Sequence, residues 1–397
     1  MKNTSPTALL LNLGHAMDHW ILVVFLYTVA VLAGVWGTDW KELTPYAFGA
    51  SFMFGAGSLV SGKLGDQWGR RSMMIIFFAG MGVSSLVIAL CQNAWQIGIA
   101  LTLMGAFASI YHPVGIPMLV QKADKPGFTI GVNGLVGNLG VALGASVSVW
   151  LATRYGWQMA YIVPAIICLL AAVAFATLVP KEEEAPARRK AKMLPLSPAV
   201  MARVFFIMTI TAVTGSIVFN FTTNSNGEFL KAGIRELADN PLALSVALLA
   251  VFSIASLAQL VVGALIDRYP LKRIYLPIIL CQIPLFVLAA HTTGWALLAT
   301  VVAFMVFVFG AIPFTDAMIV RYIDDRLRSR VTGVRLAIGF GISSLVVALI
   351  GPSVKAAGFP TLLLMLAGCA TVSLVALSFL PDEREVTEAA AVPRPAE

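Results

Sequence analysis

Charge is what this sequence has least of. Only 12% of its 397 residues are Asp, Glu, Lys or Arg, against about 25% in an ordinary soluble domain. Hydrophobic residues make up 59%, and the mean hydropathy is +0.87. That balance excludes a water-soluble fold. Cysteine is scarce as well. Cys91, Cys168, Cys281 and Cys369 lie far apart, inside or at the edge of apolar runs. They form neither a disulfide framework nor a metal-ligand spacing, and read as small apolar packing residues. No nucleophile–base set stands out, so neither an enzyme nor a bound cofactor or metal is expected. The net charge of +7 comes from basic residues dispersed over short loops. Membrane topology accounts for them better than a nucleic-acid partner does.

What the chain has instead is long apolar runs. A spanning helix needs about 20 mostly apolar residues. Such runs fall at 8–35, 46–64, 73–91, 95–120, 129–152, 156–179, 202–223, 241–266, 274–291, 294–320, 332–354 and 358–380. They predict an all-α integral membrane protein with twelve transmembrane helices in two six-helix halves, residues 1–180 and 201–381. A cytoplasmic linker at 181–200 carries Glu182 to Glu184, Arg188 to Lys190 and three prolines, a composition that favours partial disorder. A mobile tail is expected at 382–397. Loop charge sets the orientation. One side holds Lys63, Arg70, Arg71, Lys122, Lys125, the linker cluster, Arg268, Lys272, Arg273, Arg321, Arg326, Arg328 and Arg330. The other keeps Lys41, Arg154, Lys231, Arg235 and Lys355. The positive-inside rule then puts both termini in the cytoplasm. No cleavable leader is expected, because the first apolar run holds Asn12, His15, Asp18 and His19 and lacks a small-residue cleavage site.

The chain is organised around Gly62-Lys63-Leu64-Gly65-Asp66-Gln67-Trp68-Gly69-Arg70-Arg71, a charged hairpin between two apolar runs. Gly65 and Gly69 allow the backbone to reverse. Asp66 is its only carboxylate, with Arg70 and Arg71 one helical turn on. A tight basic turn at a membrane surface is the plain reading. The spacing G-x-L-x-D-x-x-G-R-R resembles the signature loop between the second and third helices of the major facilitator superfamily. Gly263, Leu265 and Asp267 repeat it in degenerate form: the basic pair, Lys272 and Arg273, arrives one residue late, and Pro270 or Leu271 replaces the second glycine. Trp95 and Trp295 match at nearly the same offset, as do Gly131-Val132 and Gly333-Val334. Such a repeat predicts two pseudo-symmetric parallel halves, as this superfamily uses. The resemblance further implies a conformational latch of Gly62, Asp66, Gly69, Arg70, Arg71, Asp267, Arg268 and Arg335. Asp66 is expected to face the start of helix eleven near Thr332 to Arg335, and Asp267 the start of helix five near Thr129 to Asn133. Helix starts offer free N–H groups and a positive dipole end. Arg335 would make the first latch the stronger.

Several residues are out of place in hydrocarbon. Asn12, His15, Asp18 and His19 fall within about 120° on one helical face. Intramembrane ionisable groups normally face a cavity and mark a pathway, and histidine titrates near neutral pH. A structural hydrogen-bond knot is the alternative. The fourth helix holds Tyr111-His112-Pro113, where proline frees a carbonyl and kinks the helix. A His-Pro pair beside a polar first helix resembles the fosmidomycin-resistance branch of the superfamily, whose members export drugs. Helix ten repeats the theme with Pro313 and Asp316. That carboxylate is either a cavity group at the cytoplasmic mouth, as the resemblance implies, or a helix-end partner of Arg321. Asn220, Thr223 and Asn224 close the seventh helix, as polar contacts or as the start of a hydrophilic loop. Gly131, Gly134, Gly137, Gly140 and Gly144 run along the fifth helix at a spacing that permits close packing. The Gly-Pro pair expected there of the antiporter subgroup is absent, which leaves packing as their role.

These observations predict a proton-coupled secondary transporter of a small organic molecule, working by alternating access. Proton coupling falls to Asp18, His15, His19, His112 and Asp316. Substrate contacts fall to Asn12, Tyr111, His112, Asn138, Asn220 and Thr223. Export is favoured; proton-coupled uptake of a nutrient or organic acid, and a non-transporting receptor or lipid-handling protein on the same fold, are the alternatives. The expected partners are a small-molecule substrate, protons and membrane lipids, with no nucleic acid. The expected setting is a multi-pass monomer in a bacterial-type inner membrane.

Overall fold

The computed structural model describes residues 5–188 and 198–381. The expected tail at 382–397, and residues 189–197 of the expected linker, lie outside the described residues. Within them the chain is helical and contains no strand. Helix α1 (Pro6–Trp36) starts where Ser5 accepts a hydrogen bond from the Ala8 N–H at 3.2 Å, with proline at the first turn, and stops at Gly37 (φ +65°). These are the ordinary start and stop devices of a helix. There follow α2 (Phe48–Trp68), α3 (Arg70–Ala89) and α4 (Ala94–Val120). Then come α5 (Pro126–Tyr155), α6 (Met159–Leu178), α7 (Pro198–Gly233), α8 (Pro241–Ile266), α9 (Leu271–His291), α10 (Trp295–Tyr322) and α11 (Arg328–Ser378).

Among the described residues, ten helices are long and apolar enough to cross a membrane. The sequence reading has twelve, and the difference lies in two places. Helix α2 is a full helix, but it is too rich in glycine and serine to be among the ten. The runs expected at 332–354 and 358–380 both fall in α11, which bends at Gly358 (φ 73°, ψ 161°). Helix α7 also overruns its expected end at 223, continuing to Gly233. Its polar residues stay helical because their side chains bond back to their own helix. Thr222, Thr223, Asn224 and Ser225 donate to the carbonyls of Val218, Phe219, Asn220 and Phe221. Such back-bonding satisfies a hydroxyl or amide without water, so Asn220 and Thr223 do not begin a loop.

The described helices form two compact units. One comprises α1 to α4, α5 from Asn133 onward, α6 and the stretch Ile323–Phe340. Its core is built from Leu11, Met17, Phe25, Phe77, Phe78 and Phe175, all buried. The glycine stripe seats α5 against α1. A Cβ on Gly140 would lie 2.2 Å from the Ala16 carbonyl oxygen, and one on Gly137 would lie 2.6 Å from the His15 ring. The Trp20 indole N–H donates to Ser148 Oγ at 2.9 Å across the same interface. The other unit comprises Lys125–Val132, α7 to α10 and α11 from Gly341 onward. Tyr275 stacks on Phe314 within it, with ring centroids 4.1 Å apart. Leu9, Val35, Ile99, Leu170, Leu249 and Val261 are each more than half exposed. A surface this apolar suits hydrocarbon, not water.

Backbones touch where the repeat places its glycines. In the first unit α2 crosses the start of α11. A Cβ on Gly62 would stand 2.3 Å from the Ser329 carbonyl oxygen, and one on Gly333 would stand 2.2 Å from that of Ser58. Ser58 Oγ donates to the Gly333 carbonyl at 2.9 Å. In the second unit the start of α5 crosses α8, where a Cβ on Gly127 would stand 2.4 Å from the Gly263 carbonyl oxygen and one on Gly263 would stand 2.5 Å from that of Gly127. Only hydrogen at these positions permits such an approach. Gly62→Ala should therefore lower stability by about 1–3 kcal/mol, the usual range for overpacking. Gly215→Ala, at a helical glycine with open space around it, should raise it by about 0.5–1 kcal/mol. Thermal unfolding in detergent measures both. Equal responses would contradict the crossing described.

Candidate functional site

The first unit gathers four titratable side chains from two helices. Helix α4 is not regular throughout: Tyr111–Gly115 form a π turn before Ile116–Val120 resume the α-helix. Such bulges arise where the i→i−4 ladder is interrupted, here at Pro113, and often mark functional positions. The wider turn brings His112 to α1. His112 Nε2 lies 3.4 Å from His19 Nε2 and 3.5 Å from Asp18 Oδ2. The His15 ring stands edge-on to both His19 and His112, at centroid separations of 4.7 and 4.9 Å. It stacks on Tyr111 at 4.9 Å.

A neutral frame holds the cluster. His15 Nδ1 donates to the backbone carbonyl of Asn133 at 2.7 Å, which fixes its tautomer and leaves Nε2 as the lone-pair nitrogen. Asn133 Nδ2 donates to Asn12 Oδ1 and to the Tyr111 hydroxyl, each at 2.8 Å. That hydroxyl donates to the Leu11 carbonyl at 2.8 Å. Asp18 is wholly buried, and neither of its carboxylate oxygens has a hydrogen bond; the same is true of His15 Nε2. Asn12, Tyr111 and His112 thus meet the proton-coupling candidates of α1. Asn133, the residue that ties them together, is not singled out by sequence, because it lies in the glycine stripe and looks like part of a packing face.

The hairpin residues divide into two sets of contacts. Arg70 is fully buried. Its Nε donates to Ser329 Oγ at 3.1 Å and its Nη1 to Asp325 Oδ1 at 2.8 Å. Its Nη2 donates to the Asp325 carbonyl at 2.6 Å and approaches Asp66 Oδ1 at 3.5 Å. Asp66 Oδ2 accepts from the Arg330 backbone N–H at 3.0 Å. Asp66 therefore meets the first turn of α11 at Ser329 and Arg330, short of the expected Thr332 to Arg335. The reason is that the helix begins at Arg328, inside a charged loop that hydropathy excludes. The cation at this carboxylate is Arg70 of the same hairpin. Arg71 points elsewhere: its guanidinium donates to the Val179 carbonyl at 2.8 Å and to that of Ala176, at the end of α6. A cation there complements the carbonyl end of a helix. Glu182 accepts the Arg71 backbone N–H at 3.1 Å and so caps the start of α3. Gly69 (φ +96°) lies in the left-handed region that favours glycine, and a Cβ on it would meet Glu182 Oε2 at 2.7 Å.

The second copy works in the second unit with fewer charges. Asp267 Oδ1 accepts from the Gly127 N–H at 2.7 Å, and Oδ2 from the Phe128 N–H at 2.8 Å. This again falls earlier than the expected Thr129 to Asn133, because α5 starts at Pro126. Arg268 is exposed. The guanidinium at this turn belongs to Arg321, whose Nη2 donates to the Ile266 carbonyl at 2.5 Å. In the same unit Asn220 Nδ2 donates to Ser343 Oγ at 2.7 Å, and Asp316 is buried well inside α10, not at its end. Asn138, in the first unit, is half-buried on α5. Arg335 lies on α11, within the stretch that belongs to the first unit.

The family model described as Major Facilitator Superfamily matches residues 8–311. Multidrug resistance protein MdtG of Escherichia coli is 27% identical over 195 residues, 49% of this chain and 47% of MdtG. The match thus spans about half the length of that relative. Among solved structures, the proton:xylose symporter XylE superposes with a TM-score of 0.77 at 14% identity, covering 95% of this chain and 96% of that one. The Escherichia coli fucose:proton symporter FucP gives 0.74 at 15% identity, covering 95% and 98%. The human organic anion transporter MFSD10 gives 0.72 at 13% identity, covering 94% and 99%. At these identities the likeness is one of fold.

The two arginine positions separate a buried ion pair from an exposed loop charge. Arg70→Ala should cost about 3–5 kcal/mol, because it strips two carboxylates of a desolvated partner. Arg268→Ala should leave thermal unfolding in detergent at the wild-type value. Comparable losses at both positions would contradict the assignment.

Proposed function

The chain belongs to the major facilitator superfamily, a family of transporters and not of enzymes, and on that premise we propose that this multi-pass membrane protein couples proton movement to the export of a small organic molecule. Twelve spans in two six-helix halves, with both termini cytoplasmic, rock about a central site in this reading. The setting is a bacterial-type inner membrane, and the working unit is one chain. Support for export comes from the partial match to MdtG, a multidrug resistance protein.

The observation that carries the proposal is Asp18, wholly buried and without a hydrogen bond, 3.5 Å from His112. A bare carboxylate in hydrocarbon is costly. A proton shared by this pair removes the charge, and releasing the proton restores it. Each state of the cycle then favours a different protonation, which is what coupling requires. His15 and His19 complete the relay, with Asp316 as the corresponding acid of α10. Asn12, Tyr111, His112, Asn138, Asn220 and Thr223 supply polar contacts to the substrate. Asp66 with Arg70, and Asp267, act as latches. Each holds a helix start while engaged, and on release the freed N–H groups need another acceptor, which water supplies in this reading.

Asp18→Asn should abolish accumulation driven by a proton gradient in vesicles while sparing substrate exchange at equal pH on both sides. Counterflow with a panel of organic compounds, with and without the gradient, reads both. Uphill transport by Asp18→Asn at the wild-type rate would overturn coupling through this residue. Accumulation inside right-side-out vesicles would overturn the direction.

A further inference from the structure

The same cluster has a second chemical property, one that competes with the proton shared by Asp18 and His112. Three imidazoles meet at one point, with the Asp18 carboxylate beside one of them, His112: the ligand nitrogens of His15, His19 and His112 all lie within 4.8 Å of one another. Four ligands around a tetrahedral ion, at bonds of about 2.0–2.1 Å, stand about 3.3–3.4 Å apart along each edge. The His19 Nε2 to His112 Nε2 distance is 3.4 Å, and the His112 Nε2 to Asp18 Oδ2 distance is 3.5 Å. Two edges of such a tetrahedron are therefore in place. We infer that Asp18, His15, His19 and His112 form a binding site for one divalent transition-metal ion of the imidazole-preferring kind, such as zinc(II) or cobalt(II).

Three further observations point to an ion rather than a packing knot. First, three of the candidate ligand atoms are unsatisfied: His15 Nε2 and both Asp18 oxygens are buried without a hydrogen bond. A polar group left so is costly, and a cation removes the cost. Second, His15 has the support of a metal-bound histidine. Its Nδ1–H is spent on the Asn133 carbonyl at 2.7 Å, so Nε2 carries the free lone pair. A histidine ligand almost always donates its other nitrogen to a carbonyl or carboxylate in this way. The Tyr111 ring, stacked at 17° to the imidazole, holds its plane. Third, His19 and His112 are only half-buried, so an ion has a way in, while Asp18 anchors the closed end. Neutral imidazoles with one carboxylate and no thiolate suit borderline divalent ions better than copper(I) or magnesium(II). With a divalent ion bound, the cluster carries one net positive charge in place of one buried negative charge.

The test uses the full-length chain in detergent, its affinity tag removed and resident metal stripped by a chelator. Titration with cobalt(II) chloride should give one ion per chain, with the strong visible d–d bands of a four-coordinate site, and zinc(II) should abolish them. His19→Gln and His112→Gln should each weaken binding by more than about a hundredfold, beyond the loss of a merely supporting partner. His291→Gln, at the remaining histidine on the exposed end of α9, should change nothing. No saturable binding, or binding unchanged in both cluster variants, would overturn the inference. If a variant fails to elute as a single species, X-ray absorption on the zinc-loaded wild-type chain decides. Imidazole nitrogens at about 2.0 Å support the site, and an oxygen-only shell overturns it.

Discussion

In each of the two units a helix start is held by a carboxylate meeting its free backbone N–H groups. Asp66 does this at Arg330, and Asp267 does it at Gly127 and Phe128. The first turn of a helix has N–H groups with no partner inside it and carries a partial positive charge. Near hydrocarbon those groups need an acceptor. A carboxylate supplies one and gains a partner for its own charge. The glycines are the condition for this contact: with a Cβ at Gly62, Gly333, Gly127 or Gly263 the backbones could not come close enough.

The two copies differ in charge, and the difference has a consequence. Around Asp66 the buried guanidinium of Arg70 binds Asp325 and Ser329 as well, so the contact is a network of ionised and neutral partners. At Asp267 two backbone N–H groups donate to the carboxylate, and the nearby guanidinium of Arg321 donates to the Ile266 carbonyl while still attracted by the Asp267 charge. A network closed by a buried arginine loses far more when one member is removed than a pair of amide hydrogen bonds does. Loss of one member is accordingly expected to cost more at the first contact than at the second.

Much of this was legible in the sequence, and the limits have physical causes. The hairpin's resemblance to the superfamily's signature loop implies Asp66 as an acceptor for a helix start, and the repeat, whose Gly-x-Leu-x-Asp spacing survives in both copies, extends that to Asp267. The partners are displaced toward the N-terminus because helices begin inside charged loops, at Pro126 and Arg328, where hydropathy sees no span. Arg268 sits one residue after Asp267, in the turn past the end of α8, and is exposed. Arg321, distant in sequence, takes the inner position. The polar face of α1 was visible from residue spacing alone. Its meeting with His112 was not, because it depends on a π turn that widens α4 near Pro113. Asn133 and Glu182 carry contacts that composition hides, one inside a glycine stripe and the other in an acidic run.

The central claim is that the two carboxylate contacts are paired elements of one conformational cycle. Hydrogen–deuterium exchange of the wild-type and Asp66→Asn proteins in lipid tests it directly, since exchange reads openings of minutes to hours. The amides of residues 126–130 and 328–332 should both exchange slowly in the wild type. If the contacts belong to one cycle, Asp66→Asn should speed both segments together, although the change touches only the second. Faster exchange confined to 328–332, with 126–130 unchanged, would contradict the account.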